Sequence, residues 1–373
     1  MTSVAFHVDQ LWLRSPGGIG TYVRELVPAL ERMNDPETLL LFRSRWTEGG
    51  PPAEWWEHRR VVVLPGTMRS LYPRWDLFGR PLLPAPLSAC EVVHATNHVA
   101  IPPAGPAQKL VVTVHDLAFE RFPELFPRRW RWLYRAGLKA TARRADAVLT
   151  PSQATADDLL SHTNLDPAKV HVTPLAASLP TTADDPMPIL RRLGIEPPYL
   201  LFVGTLEPRK NLVRLVRAYR RAVASGLPHA LVLAGATGWH AEALEAELAI
   251  VGPGTILRTG LIGDAGLDAV YRGAAAFVYP SLFEGFGLPV LEAMARGVPT
   301  ITSNASSIPE VAGQAAVLVD PTSEEDLAGA IESVLGDAEL AESLRRAGPG
   351  QAANFSWDET ARGTIAVYRK IVS

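Results

Sequence analysis

Two carboxylates separated by seven residues, Glu284 and Glu292, frame the string Gly285-Phe286-Gly287-Leu288-Pro289. Proline suits the first turn of a helix, where its missing N–H would be unpaired anyway. Gly297 then ends the helix, and Pro299 blocks its continuation. The apolar run Ala275–Tyr279 therefore feeds a glycine turn, which feeds a helix of about two to three turns. Glu284 falls in the turn, and Glu292 about one turn inside the helix. Between them lie unpaired amides and the positive end of the helix dipole, an anion site. A ligand bearing phosphates and hydroxyls would suit amides and carboxylates together. On glycine and proline alone, a tight corner with two solvated glutamates fits as well.

Three further groups lie at the ends of strand-like runs, where open parallel sheets gather ligands. Tyr199–Val203 runs into Gly204-Thr205-Leu206-Glu207-Pro208-Arg209-Lys210-Asn211, and a helix with Asn211 as N-cap is expected to follow. Adjacent Arg209 and Lys210 match phosphate, the arginine through paired donors and the lysine as a point charge. Leu110–Val114 runs into His115-Asp116, and the strand before it is followed by Asn97 and His98. Val4–Val8 is followed by Pro16-Gly17-Gly18-Ile19-Gly20, then by Tyr22, Leu26 and Leu30 at helical spacing. Taken alone, each has an ordinary reading: solubility charges, a core histidine, a strand–helix turn.

The elements that must position these groups alternate along the chain. Strands are expected at 4–8, 39–42, 61–64, 91–94, 110–114, 145–150 and 169–174, with 44–58 as a surface loop and one short helix in 65–90. The stretch 176–198, with Pro180, Pro186, Pro188, Pro197 and Pro198, is the best linker signal. The alternation then resumes at 199–203, 230–235, 255–257, 275–279, 299–302 and 315–320. Ser152 and Ser356 each read as a helix N-cap. The pattern specifies α/β architecture in two domains.

At 373 residues the chain has ample core without staples. Its net charge of −3 argues against a general nucleic-acid binder, and its single Cys90 excludes an internal disulfide or cysteine-based zinc site. A cytoplasmic protein without signal peptide or membrane span is expected. Charge is uneven: residues 1–180 carry +3 and residues 181–373 carry −6. In 121–144, eight cations (Arg121, Arg128, Arg129, Arg131, Arg135, Lys139, Arg143, Arg144) meet one carboxylate, Glu124, among Phe122, Phe126, Trp130, Trp132 and Tyr134. This is either a helix packing its aromatic face inward or a surface for anionic lipid or a lipid-linked acceptor.

The whole set, in its order, resembles the retaining glycosyltransferases of family GT4, whose fold is GT-B. Glu284-Gly285-Phe286-Gly287-Leu288-Pro289 with Glu292-Ala293 matches their Glu-x7-Glu motif; the glycine loop, His115-Asp116, Arg209-Lys210 and a final Trp357 helix accompany it. The resemblance implies two Rossmann-like domains facing across a cleft: 1–178, joined by the returning terminal segment 355–373, a linker at 179–196, and a donor domain at 197–354. It implies that Arg209, Lys210 and amides of Gly18 and Phe286–Leu288 hold the diphosphate of a nucleotide sugar. Gly17, Thr205 and Leu261 join the donor set, the loop of Leu261 reading the base. Glu284 would bind sugar hydroxyls, Glu292 the ribose, and His115 would lie near the transferred sugar. Asn97 and Asp116 fall on the acceptor side. No metal or other cofactor is expected, Arg209 and Lys210 taking that place, so no Asp-x-Asp motif is needed.

Val114-His115-Asp116-Leu117 with Phe122-Pro123-Glu124 looks most like bacterial mannosyltransferases. GDP-mannose is thus the expected donor, transferred with retention by same-face attack onto a glycan, lipid-linked or small-molecule acceptor. UDP- or dTDP-sugar donors stay open, as does a non-catalytic nucleotide-sugar binder. A phosphorylase, an epimerase or a dehydrogenase fits less well; the first glycine loop is no GxGxxG.

Overall fold

The structure is a computed structural model describing residues 2–33, 39–45, 48–51, 53–179, 185–224 and 226–373. It divides into two compact units, Met1–Leu175 with Ser356–Ser373, and Ala176–Phe355.

Each unit is built on one parallel sheet. In the first, β1 (Val4–His7), β2 (Leu39–Arg43), β3 (Val61–Val63), β4 (Val92–Ala95), β5 (Lys109–Thr113), β6 (Ala147–Thr150) and β7 (Val170–Val172) stand in the order β3-β2-β1-β4-β5-β6-β7. In the second, β8 (Tyr199–Val203), β9 (Ala230–Ala234), β10 (Ile256–Gly260), β11 (Ala276–Tyr279), β12 (Thr300–Ser303) and β13 (Val317–Val319) stand in the order β10-β9-β8-β11-β12-β13. The central strands are apolar without alternation because helices cover both faces. Every residue of β1, β4, β6, β8 and β11 is buried. The strand order reverses between β1 and β4, and between β8 and β11. In such sheets ligands bind at the strands' carboxyl ends beside such switch points.

The last helix, Trp357–Val372, packs in the first unit. Ser356 caps it, its hydroxyl accepting from the Glu359 amide at 3.1 Å. The Tyr368 hydroxyl hydrogen-bonds His94 Nδ1 at 2.6 Å. The other ring nitrogen of His94 meets Thr113 Oγ1 at 2.8 Å, and Tyr22 reaches the same Thr113 oxygen at 3.0 Å. The helix is thereby bonded to β4, β5 and the helix Gly17–Arg32.

Several local expectations change. Gly17 and Gly18 stand in the first turn of helix Gly17–Arg32, not in a loop ahead of it. The 44–58 stretch contains a short helix, Ala53–Trp56, because Trp55 is buried and donates its indole N–H to Arg24 O at 2.9 Å; Trp46, Thr47 and Pro52 lie outside the described residues. Pro180 to Asp184 of the expected linker also lie outside them, while Met187–Arg192 forms a helix that buries Leu190. Ser152 caps its helix through its hydroxyl, but Asn211 does not. Its backbone is left-handed (φ 62°), and its side-chain amide donates instead to Pro280 O at 3.0 Å and Pro321 O at 2.7 Å.

The cationic stretch forms helix Arg128–Arg144 after shorter turns. Arg121 pairs with Asp158 and Arg135 with Glu120. Arg144 turns inward to donate to the carbonyls of Trp75, Ile101 and Pro102. Arg128, Arg129, Lys139 and Arg143 are exposed, as are Trp130 (40%) and Trp132 (56%). Among the described residues no helix is long and apolar enough to cross a membrane.

Candidate active site

In the second unit the switch point brings together the loops after β8 and β11. The loop after β8 tightens into a single turn, Pro208–Lys210, capped by left-handed Asn211. Asn211 ties that turn to the carbonyl at the end of β11, and the Leu282 amide donates to Arg209 O at 2.9 Å. Backbone bonds thus set Arg209 and Lys210 against Glu284.

Three donors meet the Glu284 carboxylate. Oε1 accepts from Lys210 Nζ at 2.5 Å and from Ser281 Oγ at 2.5 Å. Oε2 accepts from Arg209 Nη1 at 2.9 Å. Lys210 Nζ also donates to the Tyr279 hydroxyl at 2.6 Å and lies 5.0 Å from that ring's centre. Arg209 turns its Nε and Nη2 to Glu207 Oε1, at 3.1 and 2.7 Å. A buried lysine and a half-buried arginine therefore meet two buried carboxylates.

Burial would raise the Glu284 carboxyl, but Arg209 and Lys210 outweigh it and hold the group at about 2. Burial, then the Arg209 charge, pushes the Lys210 ammonium down against the pull of Glu284 and Glu207. With Arg209, Lys210 and Ser281 all donating to Glu284, the pair is an ion pair at neutral pH. The Tyr279 phenol is raised well above its ordinary value by burial and by the Glu284 charge, and stays neutral.

The glycine turn leads into helix Leu288–Ala295, with Gly287 at the N-cap position. Gly287 has φ 105°, and a Cβ there would stand 2.6 Å from Ile308 Cδ1, so only glycine turns the chain here. Ser307 Oγ donates to Glu284 O and Phe286 O at 2.9 and 3.0 Å, while the Glu284 amide donates to Ser306 Oγ at 2.8 Å. The turn is held rigidly, and the amide of Leu288, first in the helix, has no intrahelical partner. Glu292 lies one turn on, buried, accepting from the Tyr271 hydroxyl at 3.1 Å. Thr205 is half-buried in the β8 loop, and Leu261, beyond β10, is 56% exposed.

In the first unit, His115 donates Nε2–H to Thr96 O at 2.9 Å, which leaves Nδ1 as an acceptor. Burial lowers its pKa, so the ring is neutral. Tyr22, one turn after Gly18, meets His115 edge-on at 4.9 Å. That helix and the residue after β4 therefore both touch His115, one strand beyond the switch point. Asn97 and Asp116 spend their side-chain oxygens on local turns, Asn97 Oδ1 accepting from Val99 N and Asp116 Oδ1 from Ala118 N, both at 3.0 Å.

Sequence reasoning selected Arg209, Lys210 and Glu284, which meet in one cluster, and Phe286, Gly287, Leu288 and Glu292, which follow on one turn and helix. It did not select Glu207, Tyr279, Ser281 or Tyr271. Glu207 and Ser281 could have been suspected from their places beside Arg209 and Glu284; nothing local marks Tyr271.

Comparison with known proteins bears on this arrangement. Residues 16–178 match the family described as Glycosyltransferase Family 4, and residues 190–351 the one described as Glycosyl transferases group 1. The O-antigen chain mannosyltransferase B of Escherichia coli is 33% identical, over 94% of this chain and 96% of its own. An MMP alpha-(1->4)-mannosyltransferase of Mycolicibacterium hassiacum is 31% identical, over 96% and 88%. Among solved structures, a sucrose-phosphate synthase from Thermosynechococcus elongatus superposes with a TM-score of 0.73 at 20% identity, covering 99% of both chains, a likeness of fold.

Proposed function

This chain is a glycosyltransferase of family GT4 with the GT-B fold, resembling bacterial mannosyltransferases, and from that premise we propose that it transfers mannose from GDP-mannose with retention and without a metal. The observation that carries the reading is the Arg209–Lys210–Glu284 cluster at the β8–β11 switch point, beside the start of helix Leu288–Ala295. The chemistry asks for positive charge where a nucleoside diphosphate departs. Arg209, Lys210 and the helix start supply it in a buried setting, where such charge acts most strongly. Glu284 takes sugar hydroxyls, and Glu292, steadied by Tyr271, takes the ribose.

In the proposed step, an acceptor hydroxyl oxygen attacks the anomeric carbon on the face from which the phosphate oxygen leaves. The carbon–phosphate-oxygen bond breaks, the new glycosidic bond forms, and the departing oxygen takes the hydroxyl proton. Neutral His115 accepts a hydrogen bond at Nδ1, and Asn97 and Asp116 belong to the acceptor side. The mannosyltransferase relatives support the sugar; the base is the more open choice.

A thermal-shift panel of GDP, UDP, dTDP and ADP tests the donor, since the nucleotide bound tightest stabilises most. Transfer from GDP-mannose with and without EDTA tests the chemistry, and the anomeric coupling of the product tests retention. Stabilisation by UDP or dTDP alone would refute GDP-mannose, and collapse of activity in EDTA would refute the metal-free step. Binding without transfer or hydrolysis would favour a nucleotide-sugar binder.

The exposed Trp130 and Trp132 among Arg128, Arg129, Lys139 and Arg143 support peripheral contact with anionic lipid, and thus a lipid-linked acceptor. Replacing Arg128, Arg129 and Arg131 with Glu should abolish binding to phosphatidylglycerol vesicles; unchanged binding refutes the contact.

A further inference from the structure

Glu207 takes part in no step above, yet it is one of the best-held groups in the second unit. It is 5% exposed and stands immediately before the turn that carries Arg209 and Lys210. Its Oε1 receives both Nε and Nη2 of Arg209 at 3.1 and 2.7 Å. Those two donors form the edge with which an arginine grips phosphate in paired fashion. In Arg209 that edge faces Glu207, and Nη1 alone points the other way, to Glu284 Oε2 at 2.9 Å and Phe283 O at 2.7 Å. The charges also balance: Arg209 and Lys210 against Glu207 and Glu284. A diphosphate site with both cations and only Glu284 would carry a net positive charge, and would hold its product as firmly as its transition state. Uniform binding of that kind does not raise turnover.

We propose that Glu207 is a positioning residue that fixes the Arg209 guanidinium and cancels one of the two cationic charges, setting how readily the nucleoside diphosphate product leaves. The proposal rests on the reading that the second unit holds a nucleoside diphosphate. It assigns Glu207 a role in release, separate from the groups that touch the donor.

The test uses the full-length protein and the variants Glu207→Gln and Glu207→Asp. GDP affinity is measured by calorimetry at low and moderate salt, alongside kcat and KM for GDP-mannose. Glu207→Gln leaves one unit of positive charge uncancelled a few ångströms from the diphosphate, and should tighten GDP on the order of tenfold. Its GDP affinity should also depend more steeply on salt, and kcat and KM should fall together as release slows. Glu207→Asp keeps the charge but is one methylene shorter, so GDP affinity should stay within about twofold while kcat falls as Arg209 swings. A merely structural glutamate would give the opposite sign in the Gln variant, weaker GDP binding.

Equal or weaker GDP binding by a folded Glu207→Gln overturns the proposal. If that variant fails to fold, GDP binding tightened tenfold in Glu207→Asp overturns it, because charge is then not what matters. Wild-type binding lost in Lys210→Met but unchanged in Glu207→Gln refutes this inference and leaves the donor reading intact. Failure of the wild type to bind any of GDP, UDP, dTDP or ADP refutes both.

Discussion

Replacing Lys210 with Met keeps the bulk of the stem and removes one charge 2.5 Å from Glu284 Oε1. Two effects follow, and the structure sizes each. Breaking a buried ion pair outright costs about 3–5 kcal/mol. Glu284 keeps Arg209 Nη1 and Ser281 Oγ, so the loss should be nearer that of one charged hydrogen bond, about 1.5–3 kcal/mol. For a unit of this size that lowers the melting transition by about 3–12 °C.

The catalytic effect should be larger in ratio. A preorganised donor aimed at developing charge is worth about 10²–10³ in kcat. Initial rates at saturating GDP-mannose should fall by that factor at a temperature where the variant is folded. A kcat within threefold of wild type, with the melting point lowered as stated, would refute the assignment of Lys210 to the leaving diphosphate.

Acid titration gives a second reading of the same variant. Glu284 has a folded pKa of about 2 against an ordinary 4.5, so its contribution is complete above about pH 4.5 and is lost as pH falls towards 2. The depression corresponds to about 3 kcal/mol. Without Lys210 the folded value rises towards 4.5, so the contribution shrinks and what remains disappears at higher pH. Urea unfolding between pH 5 and 3 measures it, and an identical pH dependence in variant and wild type would contradict the pairing.

Three other substitutions test the frame. Tyr271→Phe removes the hydroxyl on Glu292 and leaves a buried oxygen short of a donor, costing about 1–3 kcal/mol; calorimetry should show GDP binding weakened if Glu292 anchors the ribose. Gly137→Ala puts a Cβ 1.9 Å from His98 O, backbone against backbone, and should lower first-unit stability by about 1–3 kcal/mol in chemical denaturation. Ser356→Ala should cost about 1 kcal/mol and speed hydrogen exchange of the Glu359 amide, its partner at 3.1 Å.

What the sequence disclosed and what it hid divide along physical lines. Strands such as Tyr199–Val203 and Ala276–Tyr279 were legible because burial on both faces demands unbroken apolar runs. Ser152 and Ser356 were legible because a cap is a local bond. The charge cluster was half legible: Arg209, Lys210 and Glu284 stand out by type and place, but their pairing depends on which strand ends are neighbours. That is why Asn211 reads as a helix cap when its amide instead bridges Pro280 and Pro321, whereas the bond from Arg209 to Glu207, two residues before it, is local. Met187–Arg192 was concealed by prolines at 186 and 188, which fit the first turn of a helix as well as a linker. The inward turn of Arg144 was invisible among seven like-charged neighbours.

The Tyr368–His94 bond has a bearing on how the protein is made. The first unit's sheet is complete once β7 has been synthesised, but its last helix is encoded some 180 residues later, after the whole of the second unit. On the ribosome, the second unit is contiguous and free to fold as it emerges. The first must wait with His94 and Pro174 O lacking their partners Tyr368 and Thr360 until residues 356–373 appear. The order of synthesis is therefore not the order of completion, and a nascent chain stalled before Ser356 would carry a complete second unit and a first unit still missing its last helix.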